Sequence, residues 1–266
     1  MTGNIVVVRG AGDLATGTIH KLFKCGYRVL ATERARPTAI RRRVAMSEAV
    51  CDGSAAVEGV TARLAADLRE ALEIMEKGQV PVLIDPDCRL AGKLRPAALV
   101  DAILAKRNLG TTMDMAPVTI ALGPGFTAGK DVCAVIETMR GHNLGRIIWK
   151  GEAAPDTGKP GVVEGFEKER VIYAKVGGNI RIERDIGSIV EKGEVIVYIG
   201  REPVYATITG LIRGIIREGY PVTPGLKIAD IDPRKGQIEN CSTISDKARC
   251  VAGGVLEALL TMGVRP

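Results

Sequence analysis

The hydrophobic positions of this chain fall into two regimes. Over roughly the first 150 residues, short unbroken apolar runs alternate with stretches whose apolar residues recur every three or four positions. Unbroken runs fit strands covered on both faces, and the 3.6-residue period fits helices packed on them. The run IVVVR reads as a first strand. DLATGTIHKLFKCG follows as a helix, with Leu14, Ile19, Leu22 and Phe23 at helical spacing and Gly26 at its end. YRVLAT reads as a second strand ending at Glu33. Residues 34–60 carry a weaker pattern, a short helix in PTAIRRRVAMSEAV and a brief strand near AAVEGV. The alternation then resumes: ARLAADLREALEIMEKG as helix, VPVLID as strand, RPAALVDAILAKR as a helix beginning near Pro96, APVTIAL as strand, VCAVIETMRGHN as helix and RIIW as a last strand. This order predicts an α/β domain over residues 1–155, a Rossmann-like doubly wound parallel sheet with ligands at the carboxyl ends of its strands.

The second regime follows a break at GEAAPDTGKPG, rich in Gly, Pro and charge. Shifting the chain by 32 residues aligns GNIRIERDIGSIVEKGEVIVYI with GLIRGIIREGYPVTPGLKIADI without a gap, with eight identities in 22 positions, among them Gly178/Gly210, Arg181/Arg213 and Ile199/Ile231. Two copies of one small β unit are implied, each needing the other to bury its apolar face. The repeat resembles the barrel-sandwich hybrid of biotinyl and lipoyl carrier domains, which places a small all-β domain at 162–235. Such carriers bear a lysine on the hairpin joining the copies. Here that hairpin is GREPVYA and the alignment sets Pro203 near its tip, so covalent biotin or lipoate is not expected. The last segment, 236–266, begins as loop and ends in a helix from about Asp246 capped by Ser245. If that helix returns to the first domain, the β module is an insertion.

Composition adds bounds. The chain has 266 residues, 46% hydrophobic and 26% charged, with no long apolar stretch of membrane-spanning length and no leader-like start. A cytoplasmic protein with no membrane association is expected. The formal charge of +6 is modest, and 3% aromatic residues offer too few stacking platforms for nucleic acid. Arg34, Arg36, Arg41, Arg42 and Arg43 stand out: guanidinium forks suit phosphates, and a solvated loop is the equal alternative. Six cysteines show no metal-binding spacing with the two histidines, so no metal site is expected.

Three features carry candidate chemistry. In RGAGDLATG, Gly10, Gly12 and Ala15 follow a strand and open a helix, while Glu33 lies at the end of the second strand. Gly10 permits the tight turn, Gly12 lets backbone reach a pyrophosphate, Ala15 allows close packing, and Glu33 with Arg34 beside it can meet a ribose. Asp13 places a negative charge near the expected phosphate, or else caps the helix. Second, ALGPGFTAGKD sets Gly123, Gly125 and Gly129 after a strand and before an expected helix, a loop able to present N–H groups to an anion. Third, Cys88 and Cys133 are expected at the same strand edge, where an arginine or helix start could depress a thiol pKa and equip it to carry selenium or sulfur. His20 lies among apolar helix positions and reads as packed. A nicotinamide, NAD(P), or another nucleotide-bearing cofactor remains open at this level.

The segments VVVRGAGDLATGTIHKLFKCGYRVLATE, TERARPTAIRRRVAMSEAV, ALGPGFTAGKDVCAVIETMRGHNLGRIIW and DKARCVAGGVLEALL together resemble the selenium-dependent molybdenum hydroxylase accessory family, also called YqeB-like. The first half also resembles the nucleotide-fold domain of molybdenum cofactor insertion chaperones. The resemblance implies a maturation role: helping to install the selenium ligand, or otherwise activating the molybdenum centre. The implied cofactor is the molybdenum cofactor, including its cytosine dinucleotide form, held at Gly10, Gly12 and Gly125. The implied partners are a client molybdenum hydroxylase and a selenium donor protein. A scaffold docking the client, and a homo-oligomer, are compatible with the same residues.

Overall fold

The computed structural model describes residues 4–266 and is a mixed α/β protein. Two compact units emerge: residues 1–37, 45–156 and 244–266 cluster as one, and residues 38–44 and 157–243 as the other.

The first unit is built on one nine-stranded sheet. Its strands are β1 (Ile5–Arg9), β2 (Arg28–Glu33), β3 (Ser54–Val57), β4 (Val60–Ala65), β5 (Val80–Ile84), β6 (Ala98–Asp101), β7 (Val118–Leu122), β9 (Ala134–Ile136) and β10 (Ile147–Ile148), with β8 (Thr127–Ala128) pairing separately to β11 (Gly151–Glu152). The order is β10-β9-β7-β6-β1-β2-β5-β4-β3. The inner seven strands run parallel, and antiparallel β10 and β3 close the edges. Every residue of β1, β6, β7 and β9 is buried, as their mainly apolar sequences favour, including Arg9, Asp101 and Thr119.

The helices are α1 (Asp13–Lys24), the single turn α2 (Ala49–Asp52), α3 (Leu68–Glu76), α4 (Leu90–Leu94) and α5 (Asp246–Thr261). Small residues let α5 lie against its neighbours: a Cβ built on Gly17 of α1 would sit 2.8 Å from Ala248 Cβ, and one on Gly254 would sit 2.1 Å from O of Gly145 in the loop before β10. Gly17 meets Ala248, Gly253 faces Lys21, and Tyr27 donates to Val264 O at 2.9 Å, so the two helices run in parallel. Ser245 caps α5 by accepting from Ala248 N.

Two sequence expectations fail here for one reason. RPAALVDAILAKR is not a helix: after α4 the chain turns at Arg95 and enters β6, then a long irregular loop. VCAVIETMRGHN is not a helix either, because Ala134–Ile136 forms β9 beside β7. A buried apolar run of three or four residues has the same composition in a helix and in a covered strand, and the sheet decides. The helix expected in PTAIRRRVAMSEAV shrinks to two 3-10 turns and α2.

The second unit contains two four-stranded antiparallel sheets, and no closed barrel is found among the described residues. Its strands are β12 (Val171–Tyr173), β13 (Gly178–Ile182), β14 (Ile189–Val190), β15 (Val195–Ile199), β16 (Glu202–Tyr205), β17 (Gly210–Ile215), β18 (Pro221–Val222) and β19 (Lys227–Asp232). The repeat is reciprocal in space. Gly178 pairs with Val222 and, 32 residues on, Gly210 pairs with Val190; Ile180 pairs with Ile199 and Ile212 with Ile231. Each copy completes the other's sheet, and the isoleucines and valines of both fill one core. The hairpin joining the copies turns at Gly200–Arg201, so Pro203 stands inside β16 opposite Tyr198 and not at the tip.

Symmetry breaks at Gly214, where the ladder shifts register. Ile215 N donates to Ile40 O at 2.8 Å, and a Cβ on Gly214 would lie 3.1 Å from that oxygen. Residues 38–44 thus belong to this unit. Arg41 donates to Asn240 O and Thr243 O, and Arg42 donates to Ile215 O and Asp185. The guanidinium of Arg43 lies beside Gly187. Arg41 and Arg42 therefore neither wave in solvent nor wait for phosphate; they dock this segment onto the β unit, while Arg43 is exposed beside Gly187.

Candidate strand-end site

In the first unit the chain proceeds from β1 to β2 on one side, whereas β6 flanks β1 on the other. Strand order reverses between β1 and β6, and at such a point crossovers diverge and the carboxyl ends of the strands leave room for a ligand. Gly10 (φ +102) follows β1, and Gly12 is the N-cap of α1. Ala15 is fully buried, as close packing of α1 requires.

Gly12 receives no side-chain cap, and a Cβ built on it would meet nothing within 4 Å. Asp13 is therefore not the cap but the first residue of the helix. A twelve-residue helix thus begins here with its positive dipole end and without a side-chain cap. The first turn of α5 comes to the same end of the sheet and brings Lys247. Burial, and then the charge of Arg140, push the Lys247 ammonium below the usual lysine range, against attraction from Asp13, Glu137 and Asp156. Arg140 is engaged bidentately with Asp246, at 2.7 and 3.0 Å. Glu137 accepts from Met139 N and Ala154 N, so it fastens two loops at this edge.

Glu33 lies where expected, at the end of β2, but its carboxylate is used internally. Oε2 accepts from Ala11 N at 3.0 Å and Oε1 from Arg34 N at 2.8 Å. Burial raises its pKa despite those two N–H groups and the Arg34 charge. Arg34 itself is exposed.

The second glycine loop differs from expectation. A Cβ on Gly123 would lie 2.5 Å from Thr138 Oγ1, and one on Gly125 would lie 2.5 Å from Arg107 Cα. Gly129 (φ +81) sits in the turn between β8 and β9, its N–H donating to Val132 O. No helix follows. These glycines serve close packing and a turn, so Gly123, Gly125 and Gly129 do not form an anion cradle in this arrangement.

Neither cysteine presents a reactive thiol to the site. Cys88 follows β5 at the correct edge but is 1% exposed in the apolar core, with a left-handed backbone (φ +54). Burial and the Asp85 and Asp101 charges push its thiol up to about 11, and the nearby Thr32 hydroxyl and Arg9 offset only part of that. Cys133 enters β9 from its amino end, its N–H bonded to Thr119 near the start of β7, so it lies at the opposite edge of the sheet. His20 packs as expected, its ring 3.3 Å from Glu58 O.

Sequence reasoning missed the group that organises this edge. Arg9, the last residue of β1, is buried, and all its donor nitrogens are used. Nη1 meets Thr111 Oγ1 at 2.7 Å and Asp101 Oδ2 at 3.4 Å, Nη2 meets Pro86 O and Leu109 O, and Nε meets Pro86 O. Thr111 Oγ1 donates to Asp101 Oδ2 at 2.6 Å. Burial raises the Asp101 pKa, so this carboxylate depends on Arg9 and Thr111 for its charge. A charged residue ending an otherwise apolar buried strand was the one available signal.

The fold and this edge define a mixed α/β protein with a strand-end crevice at a helix N-terminus, joined to a β repeat unit. No protein-family model matches the chain. Over 258 residues it is 51% identical to the uncharacterized protein YqeB of Escherichia coli K12, covering 97% of this chain and 48% of that protein. The chain thus spans about half the length of this relative. Among solved structures, it is similar to the ectoine utilization protein EutE (DoeB) of Ruegeria pomeroyi in its product-bound form. That match has 12% identity, 86% of this chain and 84% of that one covered, and a TM-score of 0.27. A succinylglutamate desuccinylase of Silicibacter sp. TM1040 gives 13% identity, 86% and 84% coverage and a TM-score of 0.26. Likeness at that level carries no argument about fold or activity. Among the described residues, no helix is long and apolar enough to cross a membrane.

Proposed function

We propose that this chain is a cytoplasmic accessory protein in the maturation of a selenium-dependent molybdenum hydroxylase. On this reading its first unit is a Rossmann-like domain, and its second a barrel-sandwich hybrid serving to dock the client. The cofactor is a pterin joined to a nucleotide by a pyrophosphate. The observation that carries the reading is the N-terminus of α1 at Gly12, which has no side-chain cap and room beside Gly12 for a further group, at the point where strand order reverses. A pyrophosphate fits that terminus: the N–H groups of Asp13, Leu14 and Ala15 donate, the helix dipole favours negative charge, and Lys247 supplies a nearby cation. When bound, the cofactor would supply the molybdenum centre destined for the hydroxylase.

This chain's own part is to bind and orient. Gly10 and Gly12 keep the loop close, and Glu33 orders it through Ala11 N. A selenium-carrying role for Cys88 or Cys133 is not included, because the first is buried and protonated and the second lies at the far edge. The selenium donor would be a partner protein. The reading as an NAD(P)-dependent oxidoreductase is weaker, since both carboxylate oxygens of Glu33 already accept backbone N–H groups that a ribose would have to displace.

Binding of purified cofactor to the chain and to Gly12→Val tests the proposal. The expected result is saturable binding to the wild type and at least a tenfold loss in the variant with the fold intact. Absent cofactor binding alongside normal affinity for NAD would overturn it. Client activation that proceeds without any cofactor binding would favour a scaffold.

A further inference from the structure

The first unit holds a lysine where a cation is not favoured. α1 and α5 run in parallel and touch where Gly17 meets Ala248, so their amino-terminal turns lie at the same end and their positive dipole ends reinforce each other. Lys247 is the second residue of α5 and immediately precedes that contact, which sets it beside the first turn of α1. The first turn of a helix favours anionic side chains, so a lysine there sits against the field of its own helix. Burial, and then the guanidinium of Arg140, also act against the charge and push the ammonium below the usual lysine range.

The carboxylates at this edge attract Lys247 without pairing with it. They are Asp13 on α1, Glu137 in the loop after β9 and Asp156 after β11. Glu137 accepts from Met139 N and Ala154 N, Asp156 pairs with Lys106 Nζ at 2.7 Å, and Asp246, the neighbour of Lys247 on α5, is held bidentately by Arg140. The Lys247 ammonium itself makes no ion pair or hydrogen bond among the described residues. A strong anion is the partner that all the positive groups here favour together: two helix amino termini, Arg140 and Lys247. Gly12 leaves room for it.

We propose that binding of a phosphate group at the α1 N-terminus is coupled to uptake of a proton by Lys247 Nζ. In the free protein the amine gives up its proton more readily than an ordinary lysine. A phosphate beside it brings negative charge that reverses this balance, so a proton from solvent adds to the amine lone pair and the resulting ammonium pairs with the phosphate. The coupling rests on the reading of the crevice as a nucleotide site and adds that Lys247 is the residue by which the site selects a charged phosphoryl group over a neutral ligand. The bound state has the higher Lys247 pKa. Affinity is therefore complete below the pKa of the free protein and falls as pH rises through it, by at most about tenfold per unit for one proton.

Cytidine diphosphate is the probe, because its own last phosphate ionisation, with a pKa of about 6, is complete below the range in which a lysine titrates. Titration calorimetry of the full chain between about pH 7.5 and about pH 10, in buffers of differing ionisation enthalpy, reads affinity and protons exchanged together. The wild type should take up a proton on binding and lose about tenfold in affinity across this range. Lys247→Arg, whose guanidinium stays charged throughout, should bind with an affinity level in pH and with no proton uptake. Lys247→Met should bind at least tenfold more weakly at the lower pH, also without slope. Probe bound by the wild type without proton uptake, a slope that persists in Lys247→Arg, or wild-type affinity in Lys247→Met would overturn the coupling and leave the nucleotide reading standing. Absence of binding to the wild type would overturn both. Should Lys247→Arg not fold, the slope in Lys247→Met decides, and a wild-type slope there would overturn the coupling.

Discussion

The two units use buried charge in opposite ways. In the parallel-sheet unit, Arg9 and Asp101 are buried together at the strand ends, at the mouth of the crevice. In the β repeat unit, the arginines that matter are structural straps: Arg41 and Arg42 fasten residues 38–44, and Arg170 pairs with Asp230 at 2.9 Å. The first arrangement fixes loops around an opening, and the second closes a core whose two halves are already symmetric. A sheet that leaves space at a strand-order reversal must organise the loops above it, whereas a repeat that completes itself needs only to be tied shut.

Breaking each arrangement separately tests this contrast. Trp149, the one tryptophan, lies in the first unit, and four of the five tyrosines lie in the second, so intrinsic fluorescence distinguishes them. The largest effect is expected for Arg9→Met, which strands the buried Asp101 carboxylate and should cost roughly 3–5 kcal/mol. Urea unfolding followed at Trp149 should show it, and the double change Arg9→Met with Asp101→Leu should recover part of the loss. A single-variant cost below about 1 kcal/mol would mean that the pair is not the organising group. Arg41→Met should destabilise the tyrosine-reported transition by about 1–3 kcal/mol through its lost bonds to Asn240 O and Thr243 O, leaving the Trp149 transition in place. Equal shifts of both transitions would contradict the division into separate straps.

Acid should sharpen the comparison with smaller effects of opposite sign. Burial pushes Asp232 in the repeat unit up, but the bonds from Arg234 and the charges of Arg234 and Arg213 outweigh it and hold the carboxyl below its ordinary range. Its stabilising contribution is complete above the ordinary carboxylate pKa of about 4 and is lost as pH falls through the folded value. Glu33 is raised, so its folded form takes up a proton more readily than the unfolded chain, and acidification favours the folded first unit through this group. Asp232→Asn should therefore flatten the acid loss of the tyrosine-reported transition, and Glu33→Gln should remove an acid gain in the Trp149-reported one. An acid slope left unchanged by either substitution would refute the assignment. The smallest stability effect is expected at Gly12→Ala, within about 0.5 kcal/mol, because its φ of −66° suits any residue and its surroundings are open. A larger loss would mean that the crevice is more crowded than its geometry indicates.

Local pattern was sufficient where an element carries its own signal. IVVVR, with the glycines after it, yields β1 and the start of α1, and Ser245 before an apolar helix yields the α5 cap. The 32-residue repeat pointed to two copies that bury their apolar faces against each other, and in the structure equivalent residues pair in equivalent places up to the register shift at Gly214. Short segments gave no such signal: β6 and β9 read as helices because three or four buried apolar residues lack a diagnostic period. The site was legible at Gly10, Gly12 and Glu33 and illegible at Arg9, whose partners Pro86, Asp101, Leu109 and Thr111 lie 77 to 102 residues away.

By itself, then, the sequence determined the alternating sheet unit, the repeat and the position of the glycine loop after β1, since each is encoded by neighbours a few residues apart or by an exact internal offset. Only the tertiary structure decided that Cys88 is buried, that Cys133 lies at the far edge, that Gly125 is filled by Arg107 backbone, and that residues 38–44 belong to the second unit. Those outcomes depend on which distant backbone occupies the space beside a residue, and burial and close approach leave no periodic trace in the chain.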